Sequence, residues 1–381
     1  MEANPALGIV IFMLGGLAGA VFYTPLKKVT KWAWESYWLV YAVFGLVVVP
    51  WIITLIASPN VFSVLREAPK EEVLRCFLYG AAWGFGGLTW GLMIRYLGFG
   101  LGLALGAGIV AAAGTVIPPM LKGKEAIDKM FHTDAGIVSL IAAGVSVLGI
   151  VFVGMAGMSK ENELPEEEKK KSVAEFNFKK GIIAVIFSGL MSSAMSFGLQ
   201  GGETIQAQAQ TVEPGTSVTW AGMPVLVVVL LGGFVVNAGW CIILNLKNRT
   251  AGDYAKSDAP LGKNYLLAAV AGAIWCSQFI AFKTGEPKMG DISYIGWAVL
   301  MASQILFAQL IGLMLGEWKG ASRRTLQRLT IGLVLLIGSA VISGYSGHLA
   351  DVAKKDKVVD VEVAPPITAP ADEVAVPDIS E

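Results

Sequence analysis

The stretch VTWAGMPVLVVVLLGGFVVNAGWCIILNL, residues 218–246, decides the class of fold. It holds no charged residue, and as a helix it exceeds the about 20 residues that cross a hydrocarbon core. Comparable runs lie near 6–26, 37–57, 73–97, 98–120, 134–157, 181–199, 263–284, 292–316 and 326–347, which makes ten in all. The chain of 381 residues is 55% hydrophobic and only 15% charged, whereas a soluble domain is about a quarter charged. The 45 glycines follow no three-residue period, so collagen-like and disordered chains are excluded. The sequence predicts an all-α membrane protein with ten transmembrane helices in contact with membrane lipid.

Charge sets the orientation. Lysine plus arginine equals aspartate plus glutamate at 29 each, which argues against a nucleic-acid partner, since that needs a basic face. The odd-numbered loops hold 18 lysines and arginines and the even-numbered loops hold 8. Basic loops stay in the cytoplasm, so both termini are expected on the periplasmic side. The loop 200–217 has no basic residue at all. The first run is not a cleaved leader, because Lys27, Lys28 and Lys31 follow it instead of preceding it. Cys76, Cys241 and Cys276 sit in apolar runs without ligand spacing, and His132 and His348 lie near loops. With no HExxH, CxxC or P-loop pattern, neither an enzyme nor a bound metal or cofactor is expected.

A charged segment, with Glu166, Glu167 and Glu168 before Lys169, Lys170 and Lys171, divides the ten runs into five and five. Equivalent halves with an odd number of spans must run in opposite directions, the inverted-repeat plan of many secondary transporters. Two short echoes agree with this. Gly80-Ala81-Ala82-Trp83 resembles Gly272-Ala273-Ile274-Trp275, and Gly15-Gly16-Leu17-Ala18-Gly19-Ala20 resembles Ser188-Gly189-Leu190-Met191-Ser192-Ser193-Ala194. The expected organisation is a five-helix repeat at 1–157, a charged cytoplasmic hinge loop at 158–180, an inverted five-helix repeat at 181–347 and a disordered tail at 348–381. In the fourth span Gly102 and Gly106 form a small-xxx-small pair that lets helices approach closely.

No Asp or Glu falls at the middle of a span. Arg75, Arg95 and Lys283 fall near span ends, where snorkelling explains them. A strongly charged substrate needing a fixed counter-charge is therefore not expected. The mid-span polar groups are neutral: Thr89, Ser192, Ser193, Ser196, Asn237, Gln278, Ser303, Gln304 and Gln309. Amides beside aromatic faces suit a neutral polyol, whose CH faces stack on rings while its hydroxyls pair with amides. Gln278 follows Trp275 by three residues and shares its helix face. Trp83, Asn237, Trp275 and Gln278 are the leading substrate-binding candidates, with Tyr23 and Gln304 behind them. Each has a plainer reading. Trp83 and Trp275 suit packing and sugar stacking equally, the serines suit bonds to their own helices, and interhelical pairing would satisfy the amides. Trp32, Trp34, Trp38, Trp51 and Trp318 read as interface anchors.

Several motifs carry a family resemblance. Gly19-Ala20-Val21-Phe22-Tyr23-Thr24-Pro25-Leu26-Lys27-Lys28 precedes Lys31-Trp32-Ala33-Trp34-Glu35. Tyr79-Gly80-Ala81-Ala82-Trp83-Gly84 runs on to Met93-Ile94-Arg95-Tyr96-Leu97-Gly98. Further matches are Glu175-Phe176-Asn177-Phe178-Lys179-Lys180-Gly181, Met195-Ser196-Phe197, Asn237, Trp275 with Gln278-Phe279, Tyr294, Trp297, and Glu317-Trp318-Lys319 before Arg323-Arg324. Together they resemble the L-rhamnose–proton symporter family, of the drug/metabolite transporter superfamily, over about residues 6 to 345. The resemblance implies ten helices, a bacterial inner membrane, and uptake of L-rhamnose driven by protons. The segments Lys283 to Asp291 and Leu199 to Gly215 depart from the family pattern. They border the outer entrance and leave the exact sugar open.

The leading expectation is a proton-coupled symporter of a small neutral sugar working by alternating access. Glu203, Asp291 and Glu317, all at span ends, are the weak candidates for proton coupling, and Glu317 is equally a salt-bridge partner for Arg323 or Arg324. The competing readings are an exporter or exchanger of the same superfamily, an uncoupled sugar uniporter and a sugar sensor. A cation exporter would want an acidic residue within the membrane, and a sensor a signalling domain; neither is evident.

Overall fold

The computed structural model describes residues 4–97, 99–163, 177–316 and 318–363. Within them the protein is helical, with no strand. Along the chain come α1 (Pro5–Val21), α2 (Trp34–Ala57), α3 (Lys70–Leu97), α4 (Phe99–Leu121), α5 (Lys124–His132) and α6 (Asp134–Asn162). After the charged segment follow α7 (Phe178–Gln200), α8 (Glu203–Thr211), α9 (Met223–Asn248), α10 (Leu261–Gly285), α11 (Gly296–Met314) and α12 (Arg323–Val363). A single turn, Tyr23–Leu26, prolongs α1, and a π-helical turn at Phe44–Val48 lies inside α2.

Eight of these helices are long and apolar enough to cross a membrane. The other two expected spans are helices too, but fall outside that number. Glycines and tryptophans dilute the apolar weight of α3, while α4 is uncharged and apolar along all its 23 residues, Phe99–Leu121. Large apolar side chains cover the outside, including Leu14, Ile56, Ile183, Leu246, Leu266 and Val341. Such a coat is unfavourable in water and expected against lipid tails.

The helices differ from expectation at their ends. The loop 200–217 contains α8, because its Glu, Gln and Ala residues form helices well without being apolar. The last helix extends beyond 347 to Val363, so the expected tail has at least a helical beginning, while 364–381 lie outside the described residues. Of the expected hinge, α6 reaches Asn162 and 164–176 lie outside the described residues.

Packing pairs α1 with α10 and α11, and α7 with α3 and α4. It also pairs α9 with α3 and α2, α10 with α2, α4 with α11 and α6, and α6 with α12. Two crossings are made backbone to backbone. A Cβ on Gly80 would lie 1.8 Å from the Val229 carbonyl oxygen, and one on Gly232 2.0 Å from that of Phe77. In the α2–α10 crossing a Cβ on Gly272 would lie 2.6 Å from the Tyr41 carbonyl oxygen.

Polar side chains stitch both ends. At one end Asp253 accepts from the Ala33 N–H (2.7 Å) and from Ser36 Oγ (2.9 Å), and Glu35 accepts from Asn248 and Thr250. At the other, Asn60 donates to the carbonyls of Ala209 and Val212, and Glu72 accepts from the Thr204 and Ile205 N–H groups at the start of α8. Glu163, just past α6, accepts from Ser322 N–H (2.8 Å), Ser322 Oγ (2.5 Å) and Thr325 Oγ1 (2.5 Å), clasping α6 to α12. The bonds from Ser322 and Thr325 hold its carboxyl at about 2, well below the ordinary 4.5. A depressed carboxylate stabilises the fold above its unfolded value and loses that effect as pH falls through the folded one. Glu163→Ala should therefore melt below wild type at neutral pH. The gap should close as pH falls from about 4.5 toward 2, which melts at graded pH would read.

Candidate functional site

A cavity of about 1290 Å³ lies among the helices. Tyr23, Trp83, Asn237, Trp275, Gln278 and Gln304, the six substrate-binding candidates, all line it. They come from α1's terminal turn and from α3, α9, α10 and α11. The lining also includes Trp34, Lys160, Glu161 and Trp318, near the helix ends where Tyr23 and Trp34 are exposed.

Aromatic rings build one wall. Trp83 and Trp275 face each other with centroids 5.2 Å apart and planes 31° apart. Trp275 is edge-on to Phe279 at 4.5 Å and lies 6.1 Å from Tyr41. Tyr41 meets Trp38 at 4.6 Å, and Trp38 stacks on Trp34 at 5.0 Å. Trp34, Trp38 and Trp318 are thus not the lipid-interface anchors the sequence suggested but part of the lining. The missed signal was spacing: Trp34, Trp38 and Tyr41 fall at i, i+4 and i+7, which puts them on one helix face. Trp32, by contrast, packs on Tyr254 and Tyr265, and Trp51 stacks on Phe62.

The amides divide by whether the protein satisfies them. Asn237 donates to the Gly233 carbonyl (2.9 Å) and accepts from Trp38 Nε1 (3.1 Å). Gln304 donates to the Gly19 carbonyl at 3.2 Å. Gln278 is only 2% exposed, and its Oε1 has no hydrogen-bond partner in the protein. Gly19 makes room for it, since a Cβ there would come 2.5 Å from Gln278 Oε1. Among the serines, Ser192 accepts from Trp90 Nε1 (2.8 Å) and lines the cavity. Ser193 bonds its own helix at the Gly189 carbonyl, and Ser196 bonds the Gly114 carbonyl across to α4.

Away from the exposed tyrosine and tryptophan, Phe12, Phe282 and Trp297 are buried against one another, with centroids 5.7 Å and 5.5 Å apart. Next to Phe282 stands Lys283. It does not snorkel, as its place at a span end suggested. It is 1% exposed, donates to the Leu199 carbonyl (2.9 Å) and Gln206 Oε1 (3.0 Å), and pairs with Glu286. Glu286 follows Lys283 by three residues and keeps a helical backbone (φ −53°, ψ −47°), so its carboxylate falls on the lysine's own helix face and meets it there.

The proton-coupling candidates lie elsewhere. Glu203 is exposed and pairs with Lys122 at 2.6 Å, and Asp291 is exposed and pairs with Lys129 at 3.5 Å. Neither lines the large cavity. Glu317 lies outside the described residues.

Comparison with known proteins adds a family. Residues 1–348 match the family described as L-rhamnose-proton symport protein (RhaT). The L-rhamnose-proton symporter of Cronobacter sakazakii (strain ATCC BAA-894) is 32% identical over 342 residues, 89% of this chain and 96% of that protein. The symporter of the same name from Escherichia coli (strain SMS-3-5 / SECEC) is 32% identical over 344 residues, covering 89% and 97%. That of Escherichia coli (strain 55989 / EAEC) is 31% identical over 342 residues, again 89% and 97%.

Proposed function

The chain belongs to the L-rhamnose–proton symporter family, and we propose that it imports L-rhamnose, or a closely related neutral sugar, together with protons. The observation that carries the reading is Gln278: a buried amide oxygen without a partner, beside two facing tryptophans in the central cavity. A 6-deoxy sugar has the matching surface. Its methyl and CH faces lie against Trp83 and Trp275, and a hydroxyl donates to Gln278 Oε1. Asn237, Gln304 and Tyr23 supply further polar contacts in the same cavity.

Ten spans in two inverted halves are part of this proposal, with α1, α2, α3, α4 and α6 answering to α7, α9, α10, α11 and α12. The packing supports it. Exchanging each helix with its counterpart turns α1–α10 into α7–α3, α1–α11 into α7–α4 and α2–α10 into α9–α3. It returns α2–α9, α4–α11 and α6–α12 to themselves, and every one of these pairs packs. The short echo in the sequence gains a reason. Gly80 and Gly272 are each the tight point of a crossing, and Trp83 and Trp275 follow each by three residues to meet in the cavity.

We place the chain in a bacterial inner membrane, in keeping with its enterobacterial relatives, with both termini on the periplasmic side, the orientation that the basic loops favour. The cavity then opens inward, past Tyr23, Trp34 and Lys160. Import proceeds by rocking of the two halves about the central sugar. The halves are 1–157 and 181–347, with 158–180 as their hinge. The coupling proton is assigned to the helix-end carboxylates. In this orientation Glu203 and Asp291 face the outside, and Glu317, which lies outside the described residues, belongs to an inner loop by its place in the sequence. Among the described residues the cavity lining holds a single carboxylate, Glu161, near its mouth.

The test is L-rhamnose uptake into proteoliposomes with external pH recorded in the same run. Saturable uptake with alkalinisation of the medium is expected. Uptake without a pH change would make the protein a uniporter, and no uptake by folded protein would end the sugar reading.

A further inference from the structure

A second pocket, of about 260 Å³, lies at the end of the molecule opposite the cavity mouth. We infer that it is an outer binding site for a neutral monosaccharide, which holds the sugar before it passes to the central cavity. The inference rests on the transport function proposed above for its direction and for the class of ligand.

Four observations carry it. Size is the first, since the pocket is near the small end of the roughly 300–1,000 Å³ typical of small-molecule sites. The second is charge: Lys122 and Lys283 are balanced by Glu203 and Glu286, pair by pair. A neutral ligand meets donors and acceptors there without facing an uncompensated charge, whereas a sugar acid would compete with both carboxylates. The third is Gln200, 2% exposed and lining the pocket. Its Nε2 is spent on Ser196 Oγ (2.6 Å) and the Gly114 carbonyl (3.3 Å), while its Oε1 has no partner. A hydroxyl donor satisfies that oxygen. The fourth is Lys283, whose Gln206 partner is only half-buried and exchangeable for a sugar hydroxyl.

Among the described residues no aromatic ring lines this pocket. It therefore reads hydroxyl arrangement alone, whereas the central cavity also offers stacking faces. Its walls are mostly the segments 199–215 and 283–291, the two expected from the sequence to depart from the family's pattern, so sugar preference within the family can differ here while the central site stays alike.

The test is thiol labelling of Ala207→Cys, an exposed position on the pocket's rim. The native Cys76, Cys241 and Cys276 are all buried, so a membrane-impermeant thiol reagent reports on the new residue. In right-side-out vesicles, L-rhamnose is expected to slow labelling several-fold, and an equimolar uronate is not. The slowing should persist in a Gln278→Ala background, where the central site is weakened. Absence of protection, or protection that vanishes with Gln278→Ala, would overturn the outer site while leaving the central one intact. Labelling only in inside-out vesicles would overturn it as well. Failure of the transport function would show separately, as no L-rhamnose uptake by the unmodified protein. Gln210→Cys, also exposed on the rim, is the second reporter if Ala207→Cys does not fold.

Discussion

Gln278→Ala is expected to lower L-rhamnose uptake at sub-saturating concentration by about tenfold or more, with membrane insertion and melting temperature kept. A tenfold loss corresponds to about 1.4 kcal/mol, within the range for removing a hydrogen bond whose other partner stays buried. The expectation that stability survives follows from the geometry. Gln278 Oε1 bonds nothing in the protein, so its removal breaks no helix–helix link through that atom. Deleting an unsatisfied buried acceptor is neutral or mildly favourable to the fold. Asn237→Ala is the contrasting variant. Asn237 accepts from Trp38 Nε1 and so joins α9 to α2, and its loss should lower both uptake and melting temperature. Initial rates with thermal melts on the two variants separate these effects. Normal uptake by Gln278→Ala would remove that residue from the site.

Much of this architecture is legible in the sequence because lipid imposes a simple rule. A spanning helix must be apolar for about 20 residues, so 218–246 declares itself, and the basic loops mark the ends. The candidates Trp83, Trp275 and Gln278 are legible for the converse reason: bulky rings and an amide at mid-span lack a cheap explanation in lipid. What is not legible depends on the third dimension. Trp38 reads as an anchor because it starts a span near basic residues, yet the turn of the helix points it at Asn237. Lys283 reads as a snorkelling end charge, although Glu286, three residues on, already shares its helix face; only the fold brings the Leu199 carbonyl and Gln206 against it and buries the pair. α8 is invisible to apolar periodicity because its polar face is the greater part of it. The tetrapeptide echo at Gly80 and Gly272 is too short to argue from in a glycine-rich sequence, and it gains weight only when both glycines are found at close crossings.

The largest loss of stability is expected from Gly80→Ala. Its Cβ would stand 1.8 Å from the Val229 carbonyl oxygen and 2.7 Å from the carbonyl carbon, both backbone atoms of α9 that no rotamer change can move aside. The helices α3 and α9 must separate. The same crossing holds the reciprocal contact of Gly232 on the Phe77 carbonyl, and α9 is fully buried at Val225, Leu226, Val227, Val229 and Leu230, so separation disturbs packing along several turns. Overpacking of this kind costs about 3 kcal/mol or more, enough to reduce the folded yield sharply in a marginally stable protein. Gly239→Ala, in α9 itself, is the control. Its Cβ would meet nothing within 4 Å, and alanine in place of a helical glycine gains about 0.5–1 kcal/mol. The two variants should therefore shift the melting temperature in opposite directions, although each adds the same methyl group. Gly272→Ala, the counterpart in the other crossing, places its Cβ 2.6 Å from the Tyr41 carbonyl oxygen and should fall on the side of Gly80→Ala with a smaller loss. Melts of the three in one detergent decide the matter. If Gly80→Ala melted with wild type, the backbones of α3 and α9 would have to stand farther apart than 1.8 Å allows. The pairing of the two crossings, on which the inverted halves rest, would then lose one of its members.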